Sequence, residues 1–270
     1  MNKRHCIQGT AAFVAMLIAV LSVPSGPCAA AEPVEFRSPK NGYSISLPGH
    51  WVRIPDSVLQ TVQKAIFKPG ASPALSYEAA FQEGGSFGWM KYPYVLVQVL
   101  PYSQFGASGE PEEKEFSKVV EAISGVKLDQ VIRDVMSPAA RGALKDTPNV
   151  TARLDAPNRR YFFSLSMNVV DVGTVRGEAV GYFGKEGVVQ IMFYATPKDI
   201  ARTANVRDRI FSSFKFDPAF AYDPAVAIAA STNAMTKRVL DRALLGGLIG
   251  GSVALLVWLL KSFRSNSSHY

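Results

Sequence analysis

Apolar and polar positions alternate along Val34-Glu35-Phe36-Arg37-Ser38 and again along Tyr43-Ser44-Ile45-Ser46-Leu47, on either side of Pro39-Lys40-Asn41-Gly42. Period-two alternation around an Asn-Gly turn predicts a β-hairpin. Pro48-Gly49 ends the second strand and puts Trp51 at the edge of a core. The period then lengthens: Val58, Leu59, Val62 and Ile66 recur at helical spacing, which predicts a helix over 55–66. Strands near 75–81 and 94–100 flank a loop of glycines and aromatics.

The middle of the chain returns to the helical period. Phe116, Val119, Val120 and Ile123 stand at i, i+3, i+4 and i+7, and Gly125 separates them from Leu128, Val131, Ile132 and Val135 in a second helix. Glu110, Glu112, Glu113 and Glu115 precede the first of these, where acidic side chains complement the positive end of a helix. They read as a solvated helix start in preference to a carboxylate metal site. From Val150 to Ala195 the period is two again. Tyr161, Phe163, Leu165, Met167 and Val169 point one way while Ser164, Ser166 and Asn168 point the other, as in a half-buried antiparallel strand. Strands over 174–183 and 188–195 turn through Gly184-Lys185-Glu186-Gly187, a hairpin with no helix behind it to receive a phosphate. Thr196 caps a last helix from Pro197, with Asp199 three residues on, and Phe214-Lys215-Phe216 closes the domain.

The two ends have a different pattern. Lys3 and Arg4, an apolar run from Ala11 to Val23, and Ala29-Ala30-Ala31 have the three-part form of a signal peptide over 1–31, with cleavage after Ala30 or Ala31. The run is short for a span that needs roughly 20 residues. The 18 residues from Ala243 to Leu260 contain no charge and no proline, and predict a transmembrane helix followed by a short cytoplasmic tail at 261–270. Between them lie a globular domain over 32–217 and a linker or juxtamembrane helix over 218–242. Lys237, Arg238 and Arg242 on the outer side run against the positive-inside rule, so the orientation follows the signal peptide. The expected location is a bacterial inner (cytoplasmic) membrane, single-pass, with the globular domain in the periplasm or outside and membrane lipid contacted through the C-terminal helix.

Charge sharpens this layout. The chain carries a net charge of +7, but Lys3, Arg4, Lys237, Arg238, Arg242, Lys261 and Arg264, set against Asp241, account for nearly all of it. The globular part is close to neutral, which argues against nucleic acid as a partner. Both cysteines, Cys6 and Cys28, fall in the signal segment, so disulfides and cysteine metal sites are not expected in the mature protein. Ser25-Gly26-Pro27 before Cys28 is a poor match to a lipoprotein box.

The search for chemistry yields little. Beyond the signal segment the histidines are His50 and His269, and no Gly-x-Ser-x-Gly elbow, His-Glu-x-x-His pair, phosphate loop or dinucleotide fingerprint occurs. No catalytic residue, cofactor or metal is expected. The segment Gly84 to Tyr94 places Phe87, Trp89, Tyr92 and Tyr94 among glycines, a candidate partner contact. The competing reading has these aromatics folded back over the core. In the C-terminal segment Gly246, Gly247, Gly250 and Gly251 belong to two rows of small residues four apart, the pattern through which membrane helices associate. Glycine is also common in membrane helices for other reasons.

Phe36-Arg37-Ser38-Pro39-Lys40-Asn41-Gly42-Tyr43-Ser44-Ile45-Ser46-Leu47-Pro48 with Trp51, and Ile210-Phe211-Ser212-Ser213-Phe214-Lys215-Phe216, resemble the two ends of PsbP-like domains. That family is named for an extrinsic photosystem II subunit and shares its fold with a small nuclear Ran-binding protein. The resemblance covers 34–216 and implies an α+β fold, an antiparallel sheet flanked by helices on both faces (an α/β/α sandwich), to which this chain adds one C-terminal transmembrane helix. The helical pair at 110–145 is longer than the family pattern. The resemblance implies a non-enzymatic docking or assembly accessory module with a protein partner, and carries over no binding residue. Two other classes stay open: a small-ligand or lipid carrier, and a hydrolase relying on carboxylates.

Overall fold

A computed structural model of the protein describes residues 32–68, 77–85, 88–102, 132–134 and 136–222. The expected signal segment, the first helix of the 110–145 pair, the start of its second helix and the span over 243–260 lie outside the described residues. No helix among the described residues is long and apolar enough to cross a membrane.

The main sheet has seven antiparallel strands in the order β3-β4-β5-β9-β8-β7-β6. They are β3 (Trp51–Arg53), β4 (Tyr77–Glu83), β5 (Tyr94–Pro101), β6 (Asn149–Asp155), β7 (Arg160–Val169), β8 (Gly173–Phe183) and β9 (Gly187–Ala195). Every residue of β9 is buried, as expected of a central strand covered on both faces. β7 keeps the strict alternation read from its sequence, with Tyr161, Phe163, Leu165, Met167 and Val169 all buried on one face. The period-two region that begins at Val150 opens with β6, an edge strand paired along its whole length with β7.

One face of this sheet is covered by helices. α1 (Asp56–Ile66) buries Leu59, Val62 and Ile66, and Asp56 and Lys64 lie at the ends that suit their charges. The short α2 (Pro138–Gly142) begins at Ser137, whose oxygen accepts the Ala140 N–H at 3.2 Å while its hydroxyl donates to the Ala65 carbonyl at 2.7 Å. Ile132 and Met136 are buried in the same core.

The other face carries the helix expected there, α3 (Pro197–Ser212), and beside it a second sheet of three strands that the resemblance does not imply, β1 (Val34–Ser38), β2 (Tyr43–Leu47) and β10 (Lys215–Phe216). Tyr43, Ile45, Leu47, Ile210 and the inward residues of β4, β5 and β9 form this second core. The reason is local. The hairpin's alternation gives it one apolar face, and the cheapest cover for that face is the apolar side of β4, β5 and β9. The fold class is therefore α+β, with helices on one face of the main sheet and, on the other, a helix beside a small sheet.

A bulge in β4 ties the two sheets together. The pairing register between β4 and β5 shifts between Tyr77 and Ala79, and Glu78 turns toward the β1–β2 turn. Its carboxylate accepts hydrogen bonds from the Tyr43 hydroxyl at 2.6 Å, the Asn41 amide at 2.8 Å and the Ser38 hydroxyl. Gly42 in that turn has φ +57 and abuts the Phe220 ring so closely that a Cβ would lie 2.0 Å from it. The chain past β10 stays on the domain: Lys185 N–H donates to the Phe220 carbonyl at 2.9 Å, and the Arg159 guanidinium sits 4.8 Å from the Tyr222 ring centre.

Candidate functional site

The three-stranded sheet covers the β3-β4-β5-β9 half of its face and stops short of β6 and β7. On the uncovered half the residues between the core positions are Thr151 and Arg153 from β6, Phe162 and Ser164 from β7, and Arg176 and Glu178 from β8, all polar but Phe162. α3 borders this area with Arg207, Asp208 and Phe211. The result is a groove of about 400 Å³.

Its floor is built from cross-strand pairs. Thr151 stands opposite Ser164, with their hydroxyls 2.7 Å apart, and Arg153 stands opposite Phe162. The Arg153 guanidinium lies 3.9 Å from the centre of the Phe162 ring, and that of Arg160 lies 5.0 Å from the same centre. Stacking of this kind contributes about 0.5–1 kcal/mol where solvent is near. Arg160 also donates from Nε to Asp155 at 2.7 Å, which holds the Asp155 carboxyl below the usual carboxylate range. The wall is closed by Arg207, which pairs with Glu178 at 2.5 Å and with Asp208 at 2.7 Å. Among the described residues Arg153 has no acidic partner, so its charge is exposed to whatever enters.

No family model matches the chain, and no curated protein matches it. The fold is similar to the solution structure of cyanobacterial PsbP (CyanoP) from Synechocystis sp. PCC 6803. That likeness has 15% identity and a TM-score of 0.42, and covers 71% of this chain and 96% of the other. It concerns the general layout of strands and helices.

The aromatic loop singled out in the sequence lies on the opposite, helical face. Tyr94 is fully buried in β5, stacked between Tyr92 at 5.2 Å and Tyr194 at 5.3 Å. Trp89 and Tyr92 are half-buried and pack on the same core, and Gln82 anchors the loop by donating to the Gly88 carbonyl at 2.9 Å. Phe87 lies outside the described residues, as do Gly246, Gly247, Gly250 and Gly251. The three described aromatics thus cover the core, and Tyr94 offers no surface.

His50 is half-exposed at the start of β3, with Nε2 at 3.5 Å from Glu83. Glu83 is itself held by Arg202 of α3 through two bonds of 3.1 and 2.9 Å, which pull its carboxyl below the usual range. Arg202 also reaches Asp199 at 3.4 Å, and Asp199 accepts from the Thr196 hydroxyl at 2.5 Å. The hydroxyl of Thr196 therefore bonds a carboxylate in place of the backbone cap read from the sequence. This chain of charges clamps α3 to the β3–β4 edge, and leaves Glu83 committed to a guanidinium.

The groove escaped the sequence reading. The alternation of Asn149-Val150-Thr151-Ala152-Arg153-Leu154-Asp155 is visible in the chain and was the available signal. Arg207, more than 50 residues away, has no local mark that would place it opposite Glu178.

Proposed function

We propose that this chain is a non-enzymatic membrane-anchored envelope protein, and that its exported domain is a docking or assembly accessory module. The observation that carries the docking reading is the Arg153–Phe162 stack on the floor of an open groove. Arg and Phe are enriched where proteins meet, and a guanidinium already held over a ring loses little freedom when a partner covers it. The ion pairs at Arg207 and Arg160 fix the wall and rim around it.

A small-ligand carrier would need a largely apolar cavity. This groove instead carries Arg153, Arg207, Glu178 and Asp208. A carboxylate-dependent hydrolase would need a free pair of acids, whereas Glu178, Asp208 and Asp155 are each tied to an arginine.

The test uses the full chain in its own membrane. A photo-crosslinking residue at Ser164 in the groove is expected to capture a second protein, and one at exposed Lys198 is not. Arg153→Ala and Phe162→Ala are expected to abolish the capture at unchanged protein level. Capture that survives both substitutions would overturn the docking site. His50→Ala is expected to complement a deletion normally, and loss of function in a stably folded His50→Ala protein would overturn the non-enzymatic reading.

A further inference from the structure

The outer edge of β6 is the open end of the main sheet. β7 pairs with one side of β6, and among the described residues no strand pairs with the other. An open strand edge is a template for another strand, and soluble proteins usually blunt one with a proline, an inward charge or a bulge. β6 has no proline, inward charge or bulge, and its two charged residues, Arg153 and Asp155, stand off the core side: its seven residues are paired with β7 in unbroken register, and Val150, Ala152 and Leu154 are apolar and only half-buried on the core side.

We infer that the occupant of this edge is a second copy of this chain, paired antiparallel through β6 about a two-fold axis at Ala152. The sequence of β6 is self-complementary in that register. Ala152 meets the partner's Ala152, Val150 meets the partner's Leu154, Thr151 meets the partner's Arg153, and Asn149 meets the partner's Asp155. All seven residues pair, the apolar side chains fall on the core face, and no like charges stand directly opposite one another. Neighbouring registers are worse for stated reasons. A one-residue slip sends every side chain of one copy to the wrong face. Centring on Arg153 sets two arginines against each other, and centring on Thr151 shortens the ladder. A two-fold interface needs this kind of self-match, because the same patch serves both sides.

The arrangement has a consequence for the groove. The axis stands perpendicular to the sheet, so both grooves open on the same side. Among the described residues each groove is walled by α3 on one flank and is open beyond β6. In the pair, the partner's β6 extends the floor and the partner's α3 supplies the far wall, so the second copy completes the site. Pairing through β6 does not depend on what the groove binds.

The experiment is cysteine crosslinking of the full chain in membranes, with Cys6→Ser and Cys28→Ser as background. Ala152→Cys is expected to give a dimer-mass band on oxidation, lost on reduction. Lys198→Cys, exposed in the first turn of α3 and away from the edge, is expected to give none. Thr151→Cys and Arg153→Cys are each expected to crosslink weakly alone and strongly when the two are co-expressed. Ala152→Lys and Ala152→Glu are each expected to be monomeric with wild-type circular dichroism, and to pair when mixed. The inference is overturned if Ala152→Cys fails to crosslink in folded protein, if the Lys and Glu variants each dimerise as the wild type does, or if the folded pair fails to associate on mixing. A different protein crosslinked at Ala152→Cys in place of the second copy would overturn it equally.

Discussion

Gly181→Ala adds one methyl group to a place with no room for it. Gly181 in β8 stands directly opposite Tyr161 in β7, and the tyrosine ring lies across the space that a side chain would fill. A Cβ there would sit 2.2 Å from the ring carbon bearing the hydroxyl and 2.6 Å from the hydroxyl oxygen. Carbon atoms in contact prefer about 3.5–4.0 Å, so the ring must withdraw by roughly 1.5 Å. It has nowhere to go. Tyr161 is 1% exposed, its edge meets Phe183 with ring centres 5.6 Å apart, and its hydroxyl donates to Gln190 at 2.6 Å. Overpacking of a core costs about 1–3 kcal/mol. Losing the Tyr161–Gln190 bond would strand a buried amide oxygen at a cost of about 1–3 kcal/mol. The two overlap, because a ring that keeps its bond takes the strain elsewhere. The expected loss is therefore about 2–4 kcal/mol.

Urea denaturation of the full chain in detergent, followed by tryptophan fluorescence, measures it. Gly142→Ala serves as the control. Nothing lies within 4 Å of a Cβ at Gly142, and it occupies the last turn of α2, so that change is expected to be neutral or to stabilise by up to about 1 kcal/mol. Replacing Tyr161 with Leu in the Gly181→Ala background removes the ring that the methyl collides with. The double-mutant cycle is then expected to show a coupling of about 1–3 kcal/mol. A Gly181→Ala protein within about 0.5 kcal/mol of wild type, or strict additivity with Tyr161→Leu, would refute the steric account.

Glu83→Gln is expected to cost about 0.5–1 kcal/mol at neutral pH, since Arg202 is half-exposed and solvent screens the pair. Because hydrogen bonds from Arg202 lower the folded-state pKa of Glu83, the stabilisation is complete above the unfolded carboxyl pKa near 4.3 and is lost as pH falls through the folded value; thermal melts of both proteins should converge in acid. Burial pushes the hydroxyls of Tyr77, Tyr94, Tyr161 and Tyr194 well up from their ordinary value, so they stabilise the fold below about pH 10 and oppose it as pH rises further. Tyrosinate absorbance from these four is expected to appear only together with alkaline unfolding, and a titration of them ahead of the loss of structure would contradict their burial.

The parts of the fold that were legible in the sequence are those where one periodicity holds for a whole element. The hairpin of β1 and β2 was read from strict alternation around Asn41-Gly42, and α1 from four apolar positions on one helical face. β7 followed for the same reason, and β9 from an apolar run between Gly187 and Thr196 interrupted at Gln190 alone. What was not legible depends on which face of the sheet each element finds. The alternation of β1 and β2 shows that one side is apolar but not that it will cover β4, β5 and β9, so the small sheet that stands beside α3 has no signature in the sequence. The aromatics of the 84–94 loop look alike whether they point outward or inward. Their direction is decided by the Gln82 bond to Gly88 and by the Tyr94 stack, neither of which has a local signature.

The groove illustrates how a local turn decides a distant surface. β6 and β7 are joined through a 3-10 turn at Ala156–Asn158 and a single left-handed residue, Arg159, with φ +49. Asp155 and Arg160 close that turn as a paired couple bound at 2.7 Å, and from this pair the register counts back two residues at a time. Phe162 therefore meets Arg153, and Ser164 meets Thr151. If the turn were one residue longer, Val150, Ala152 and Leu154 would face the groove, and Arg153 would be driven into the core beside Phe163 and Leu165. Burying that unpaired guanidinium would cost several kcal/mol, so the core holds the register of β6 from one side while the Asp155–Arg160 pair holds it from the end. The same register that keeps charge out of the core places the cationic stack on the open face, and it leaves the apolar positions of β6 in line for the edge that a second copy would match.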